Sequence, residues 1–166
     1  MEPGEALGTA AQVAVALAGF AGVVVVFRSG AVHEWSKIDK FRLRILLINS
    51  AVPLVLCMVG HLLLTANISP ATVWRWASGF AAVLFFPIAI VYLKTFCSFS
   101  RAELQTAGGS RSLFYVSLAF GTAVSVLQFY NLAALNAFWP FFLGIISLLI
   151  AGVFQFVRLV LISPSR

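Results

Sequence analysis

The sequence has few charged residues. Aspartate, glutamate, lysine and arginine make up 10% of its 166 residues, whereas an average soluble domain has about 25%. Hydrophobic residues make up 61%, and a soluble domain of this size cannot bury so much apolar surface, because soluble chains are about 45–50% apolar. The composition therefore excludes a soluble globular protein and predicts an all-α membrane protein.

Groups that carry chemistry are also scarce. No acidic residue lies within a long apolar run, so the carboxylates expected of proton-coupled pumps are missing. The two histidines, His33 and His61, lie in different parts of the predicted topology and cannot supply a typical metal or haem site within one chain. The sequence has no serine elbow, phosphate loop or paired-cysteine motif. We therefore expect a protein that is not an enzyme and that has no metal and no cofactor.

Five apolar runs are long enough to cross a bilayer, which takes roughly 20 residues in a helix. The tail before the first run carries Glu2 and Glu5 but no basic residue, so this run is predicted to be a retained helix and not a cleaved signal peptide. Nothing outside the runs is long enough to fold independently, which predicts one integral membrane helical domain over residues 1–166. The predicted spans lie at about 7–27, 43–66, 73–96, 112–135 and 138–162.

The basic residues are distributed unevenly across these spans. Ten of the 11 lysines and arginines fall on one side of the predicted membrane, and only Arg75 lies near the other. Lysine and arginine accumulate in cytoplasmic loops, so the N-terminus is predicted outside and the C-terminus in the cytoplasm. The expected location is the cell (inner) membrane. Topology alone accounts for the net charge of +6, which needs no nucleic acid partner.

Residues 29–42 combine apolar residues at a spacing of three with charges between them. This pattern predicts a cytoplasmic amphipathic segment that lies on the membrane surface. Basic residues there are attracted to anionic lipids by about 1 kcal/mol per charge, and a cytoplasmic partner is the alternative contact. The residues expected to contact lipid headgroups or a partner are Lys37, Lys40, Arg42 and Arg44.

The first span carries small residues at a strict spacing of four: Ala10, Ala14, Ala18 and Gly22. Small residues let helices approach closely in lipid, where packing and not hydrophobicity drives association. The pattern therefore predicts a helix-packing groove. Its mate is either another helix of this chain, which the tendency of neighbouring helices to pack together favours, or a second subunit.

Polar residues inside the spans form two layers when their depth is measured at 1.5 Å per residue from the cytoplasmic end. The inner polar layer, about 10 Å deep, holds Asn49 and Gln155, together with Pro53, which cannot donate a hydrogen bond to the Asn49 carbonyl and predicts a kink. In transporters, such interruptions of a helix often mark binding sites.

The outer polar layer, about 25–30 Å deep, consists of His61, Arg75, Gln128 and Asn131. An ionisable residue inside a membrane is by default a candidate for function, so these four residues predict a polar pocket. In the alternative interpretation, Arg75 extends to the headgroups and His61 is a hydrogen-bonded packing residue.

These patterns favour a non-enzymatic polytopic membrane protein that acts as a small subunit or organiser of a membrane assembly. The alternative is a small oligomeric channel or transporter with a polar pocket around His61. The expected partners are the lipid bilayer, anionic lipids at the cytoplasmic face, and either further copies of the chain or a larger membrane complex.

Overall fold

The computed structural model describes residues 2–27, 32–100 and 111–161. This part of the chain is all-helical, and it contains five helices that are long and apolar enough to cross a membrane. The architecture is therefore compatible with a polytopic helical membrane protein. The helices are α1 (Pro3–Phe27), α2 (Lys37–Thr65), α3 (Pro70–Cys97), α4 (Arg111–Tyr130, continued by a π-helical turn over Asn131–Leu135) and α5 (Phe138–Leu161).

The five predicted spans each correspond to one of these helices, but α2 begins six residues earlier than predicted, at Lys37. The reason is a helix cap: the Ser36 hydroxyl accepts a hydrogen bond from the Asp39 backbone N–H at 3.1 Å, and an acidic residue is favourable in the first turn of a helix. Residues 37–42 of the predicted interfacial segment are therefore the first turns of α2, and a short 3-10 helix, Val32–Glu34, precedes them. Residues 29–31 of that segment lie outside the described residues.

The links between α2 and α3 (residues 66–69) and between α4 and α5 (residues 136–137) are short, so each of these two pairs forms an antiparallel hairpin. The link between α2 and α3 ends in Ser69, whose hydroxyl accepts a hydrogen bond from the Thr72 N–H at 3.3 Å and so caps α3. The last turn of α3 meets the first turns of α4, where the rings of Phe96 and Phe114 stack with centroids 3.4 Å apart. Six described basic residues lie near one end of the bundle, which we call the basic end, whereas Arg75 lies towards the opposite end. The six are Lys37, Lys40, Arg42, Arg44, Lys94 and Arg158.

Helix α2 lies at the centre of the bundle and packs against α1, α3 and α5, whereas α4 packs mainly against α3 and α5. The main core contains fully buried Leu7, Leu56, Phe141 and Ile145, and the Trp74 ring lies tilted beside Phe141 at a centroid distance of 6.0 Å. Most described side chains of α4 are exposed or half-buried. The bundle therefore leaves much of its apolar surface turned outward, as expected of a fold whose solvent is lipid.

The packed face of α1 differs from the predicted groove. Ala10 and Ala14 are buried, but Ala18 and Gly22 are exposed, and no atom lies within 4 Å of a Cβ built on Gly22. A step of four residues overshoots one helical turn by about 40°, so a strict spacing of four rotates by about 120° over three steps. The buried residues instead alternate spacings of three and four along one face that contacts α2 and α5: Leu7, Ala10, Ala14, Leu17, Ala21 and Val24.

Candidate functional site

Two members of the outer polar layer, Gln128 and Asn131, are fully buried at the end of the bundle opposite the basic end. The Asn131 amide nitrogen donates to the Ser78 hydroxyl at 2.6 Å and to the Ala137 carbonyl at 2.9 Å, and its oxygen accepts from the Ala137 N–H at 2.9 Å. The Gln128 amide donates to the Pro140 carbonyl at 2.7 Å. These bonds join α3, α4 and α5, and we call the five residues the Asn131 network.

A π-helical turn at the end of α4 positions Asn131. The Asn136 N–H donates to the Asn131 carbonyl at 3.0 Å, and Asn136 itself adopts a left-handed conformation with φ of 49°. Such turns are rare and are frequent at functional sites. Here the turn brings the Asn131 side chain to the start of α5, and the hydrogen bonds that result are internal to the fold. The network therefore has a structural role, which explains why Ser78, Gln128 and Asn131 are polar.

His61 and Arg75, the other two members of the outer polar layer, have exposed side chains. The His61 Nδ1 lies 3.1 Å from the carbonyl of Cys57 on its own helix. Among the described residues, the hydrogen bonds of Gln128 and Asn131 go to other partners. The structure thus brings Gln128 and Asn131 together and does not join them to His61 or Arg75 by hydrogen bonds.

Ser78 is the member of the network that sequence reasoning missed. It is fully buried on α3 and receives the shortest hydrogen bond of Asn131. A signal was present: Ser78 is the polar member of a row of buried residues that recur at helical spacing along α3, namely Val73, Trp74, Ala77, Ser78 and Ala81. A polar residue on a buried helical face needs a partner, because an unpaired polar group in an apolar interior is costly.

The inner polar layer lies in the interface between α2 and α5. Asn49 is only 3% exposed, and its side-chain oxygen has no hydrogen-bond partner in the described structure; the oxygen of half-buried Gln155 likewise has none. Pro53 is fully buried, and because it has no N–H, the Asn49 carbonyl lacks its usual helical donor. Helix α5 approaches at Gly152, where an added Cβ would lie 3.6 Å from that carbonyl.

Arg42 is part of the core of the basic end. It is 4% exposed, and its guanidinium lies 3.2 Å from the Asp39 carboxylate. Arg158 of α5 lies close enough to Arg42 for the two positive charges to interact. The Arg158 guanidinium lies over the Phe154 ring, 5.6 Å from the ring centroid. The interior of the basic end is therefore charged, and Asp39 supplies the negative partner.

The other three predicted headgroup contacts, Lys37, Lys40 and Arg44, are exposed. The Lys40 ammonium donates to the His33 carbonyl at 2.6 Å, which holds the 3-10 turn against the start of α2. Of the four residues, Arg42 alone turns inward, and contact of the others with anionic lipid or a partner stays a prediction.

A groove of about 670 Å³ runs between α1 and α5. Its α1 wall consists of small residues and its α5 wall of large apolar ones; they include Ala6, Thr9 and Ala10 on α1 and Phe142, Ile150 and Val153 on α5. The Thr9 hydroxyl donates to the Glu5 carbonyl at 3.0 Å, so its one donor is already used. The groove is therefore apolar and suited to an apolar group, such as an acyl chain or the side chains of another transmembrane helix.

Within residues 2–27, 32–100 and 111–161, no three histidine, cysteine, aspartate or glutamate side chains are grouped so that they could hold a metal ion. Comparisons of this chain with known protein families, curated proteins and solved structures find no match. The geometry of the polar layers and of the groove is therefore the basis for a functional proposal.

Proposed function

We propose that the protein is a non-enzymatic subunit of a membrane assembly, oriented with its basic end in the cytoplasm, and that the groove between α1 and α5 binds a transmembrane helix of another protein. The observation that carries the proposal is the groove itself, an apolar concavity of about 670 Å³. By contrast, the amide nitrogens of Gln128 and Asn131 already donate hydrogen bonds within the chain, although the buried Gln128 oxygen has no partner in the described structure. The geometry therefore supports a binding role better than a catalytic one.

The dimensions of the groove suit a helix. Along α5 its lining extends from Phe142 to Val157, which corresponds to about 22 Å of helix axis at 1.5 Å per residue. The small residues on the α1 wall allow a second backbone to come close, and close packing is what drives helix association in lipid. Val13 and Ile150, which line the groove, are 41% and 64% exposed, so an incoming helix would cover apolar side chains.

A different protein fits the groove better than a second copy does. In a two-fold symmetric dimer, each subunit contacts the other through the same surface. Two copies joined at this surface would place groove against groove, and two concavities do not fill one another. A convex transmembrane helix from a different protein fills the space.

The proposal can be tested by photo-crosslinking in the native membrane. We expect a photoreactive amino acid at Ile150 or Val153, both in the groove, to give a discrete crosslinked protein. The matched control is Val116 on α4, which is 66% exposed and does not line the groove. Val13→Phe, which narrows the groove, should weaken the crosslink from Ile150, whereas Val116→Phe should leave it unchanged.

Two results would contradict the proposal. The first is that Ile150, Val153 and Val116 give the same lipid-only products. The second is a crosslinked product that contains only this chain, shown by coexpression of two differently tagged copies, because that product would make the groove an interface between copies.

A small oligomeric channel or transporter is the second candidate. It is favoured by the buried oxygens of Asn49 and Gln155, which have no partner in the described structure, because oxygens without donors are suited to line a path for water or a cation. Liposomes that contain the protein should then pass a small cation, and Asn49→Leu should reduce the flux. Liposomes that pass no ion or small solute at any pH tested would rule this candidate out.

A further inference from the structure

A second, smaller opening lies between α2 and α3 towards the basic end. This cleft has a volume of about 150 Å³ and is lined by Arg44 and Ile48 of α2 and by Pro87, Ile88, Val91 and Tyr92 of α3. Arg44, Pro87 and Val91 are exposed, whereas the other three are half-buried. The cleft therefore opens towards the lipid and has a recessed floor.

The cleft holds two side-chain hydrogen-bond donors, Arg44 and Tyr92, that have no partner among the described residues. The Tyr92 hydroxyl is buried, yet no group in the described structure bonds to it. Arg44 lies close enough for its charge to act on Tyr92, and in the part of the chain described here it forms no ion pair of its own. A guanidinium and a phenol together match an anionic group with several acceptor oxygens, of which phosphate is the typical case.

The lining of the cleft also changes along the membrane normal, from polar residues near the membrane surface to apolar residues deeper in. Tyr92 lies five residues from the end of α3 and Arg44 seven from the start of α2, depths of roughly 8 to 10 Å at the helical rise. Ile48, Ile88 and Pro87 lie about one turn deeper. Charge towards the membrane surface and apolar walls below it reproduce the order of headgroup and acyl chain in a lipid.

We propose that this cleft binds the phosphate of an anionic membrane lipid. Arg44 pairs with the phosphate, the Tyr92 hydroxyl donates to one of its oxygens, and an acyl chain lies along Ile48 and Ile88. A free phosphate ion offers the same headgroup chemistry, but the apolar walls and the opening towards the bilayer favour the lipid. This site is separate from the groove between α1 and α5, so it does not depend on the proposed function.

The test is a titration of the purified, delipidated full-length chain in detergent. The probes are phosphatidylglycerol, phosphatidylcholine and inorganic phosphate, and bound lipid is counted by native mass spectrometry. We expect phosphatidylglycerol to bind about tenfold more tightly than phosphatidylcholine. Both lipids carry the phosphate, but the choline ammonium of phosphatidylcholine adds a positive charge that is repelled by Arg44. Millimolar inorganic phosphate should not displace the lipid, because it lacks the acyl contacts.

Variants separate the site from general attraction to basic residues. Arg44→Gln should weaken phosphatidylglycerol binding about tenfold and Tyr92→Phe about threefold, because the first removes a charged donor to the phosphate and the second a neutral donor. Lys94→Gln is the matched control, since Lys94 is an exposed basic residue of the same end that does not line the cleft. It should change the affinity less than twofold.

Three results would overturn the proposal. Equal losses in Arg44→Gln and Lys94→Gln would show diffuse electrostatic attraction, and unchanged binding in Tyr92→Phe would show that the hydroxyl is not a ligand. Displacement by inorganic phosphate would show a site for the free ion. If Arg44→Gln does not fold, Arg44→Lys replaces it: the charge remains but the planar fork is lost, so a severalfold loss is expected that Lys94→Arg does not show.

Discussion

Asn131 and Asn49 are both buried asparagines, but their side chains differ in hydrogen bonding. Asn131 is fully buried and makes three hydrogen bonds, whereas Asn49 is 3% exposed and its side-chain oxygen has no partner in the described structure. Asn131 therefore stabilises the contact of α3, α4 and α5, while Asn49 costs stability unless something outside the chain bonds to it. The partners of a buried amide, and not its burial, decide whether it is structural or a candidate for binding.

Substitution of Asn131 has the largest expected effect on this comparison. Asn131→Leu keeps a side chain of similar length but removes all three hydrogen bonds, and it leaves the buried Ser78 hydroxyl without its amide donor. At about 0.6 to 1 kcal/mol per bond, the free energy of unfolding should fall by about 2 to 3 kcal/mol. Denaturation in mixed micelles measures this value.

The control for Asn131→Leu is Gln12→Leu, which replaces an exposed amide on α1 and should change the free energy of unfolding by less than about 0.5 kcal/mol. An equal loss in both variants would show that the Asn131 network contributes no more than any other amide.

Gly144 tests the packing around the Asn131 network, with a smaller expected effect. A Cβ at this position would lie 2.9 Å from the Gln128 amide nitrogen and 3.2 Å from the Phe85 ring. Gly144→Ala should therefore displace Gln128 from the Pro140 carbonyl and lower the free energy of unfolding by about 1 to 3 kcal/mol.

Gly121→Ala is the matched control for Gly144→Ala, because nothing lies within 4 Å of a Cβ built there. Alanine is the better helix former by about 1 kcal/mol, so this variant should be neutral or more stable. The same melting curve for both variants would mean that α5 does not approach Gln128 as closely as the structure indicates.

The helices were predictable from the sequence because apolar length alone decides which segments can span a membrane. The start of α2 was not, since the charges of residues 37–42 hide a helix that Ser36 caps. The burial of Arg42 could likewise not be predicted from composition, because it depends on Asp39, which lies one turn away and 3.2 Å from the guanidinium. Capping and ion pairing are properties of three-dimensional neighbours, whereas hydropathy is a property of the segment.

The sequence predicts the depth of the candidate site residues but not the direction in which they face. His61, Arg75, Gln128 and Asn131 are predicted to lie at one depth because each residue adds 1.5 Å along its helix, whereas rotation about the helix axis sets which way each side chain faces. Gln128 and Asn131 turn inward, whereas His61 and Arg75 are exposed. A single sequence fixes the depth of a residue, and packing against other helices fixes its direction.

Substitution of Asn49 has the smallest expected effect on the free energy of unfolding, and it tests the comparison with Asn131 most directly. Asn49→Leu removes a buried oxygen that has no partner, which is favourable, and adds volume beside Leu17 and Gly152, which is not. The two effects offset, so the free energy of unfolding should stay within about 1 kcal/mol of the unchanged chain, whereas the same substitution at Asn131 is expected to be strongly destabilising. If unfolding measurements instead gave equal losses for Asn49→Leu and Asn131→Leu, Asn49 would have a bonding partner that the helices do not supply, such as a water molecule or a ligand between α2 and α5.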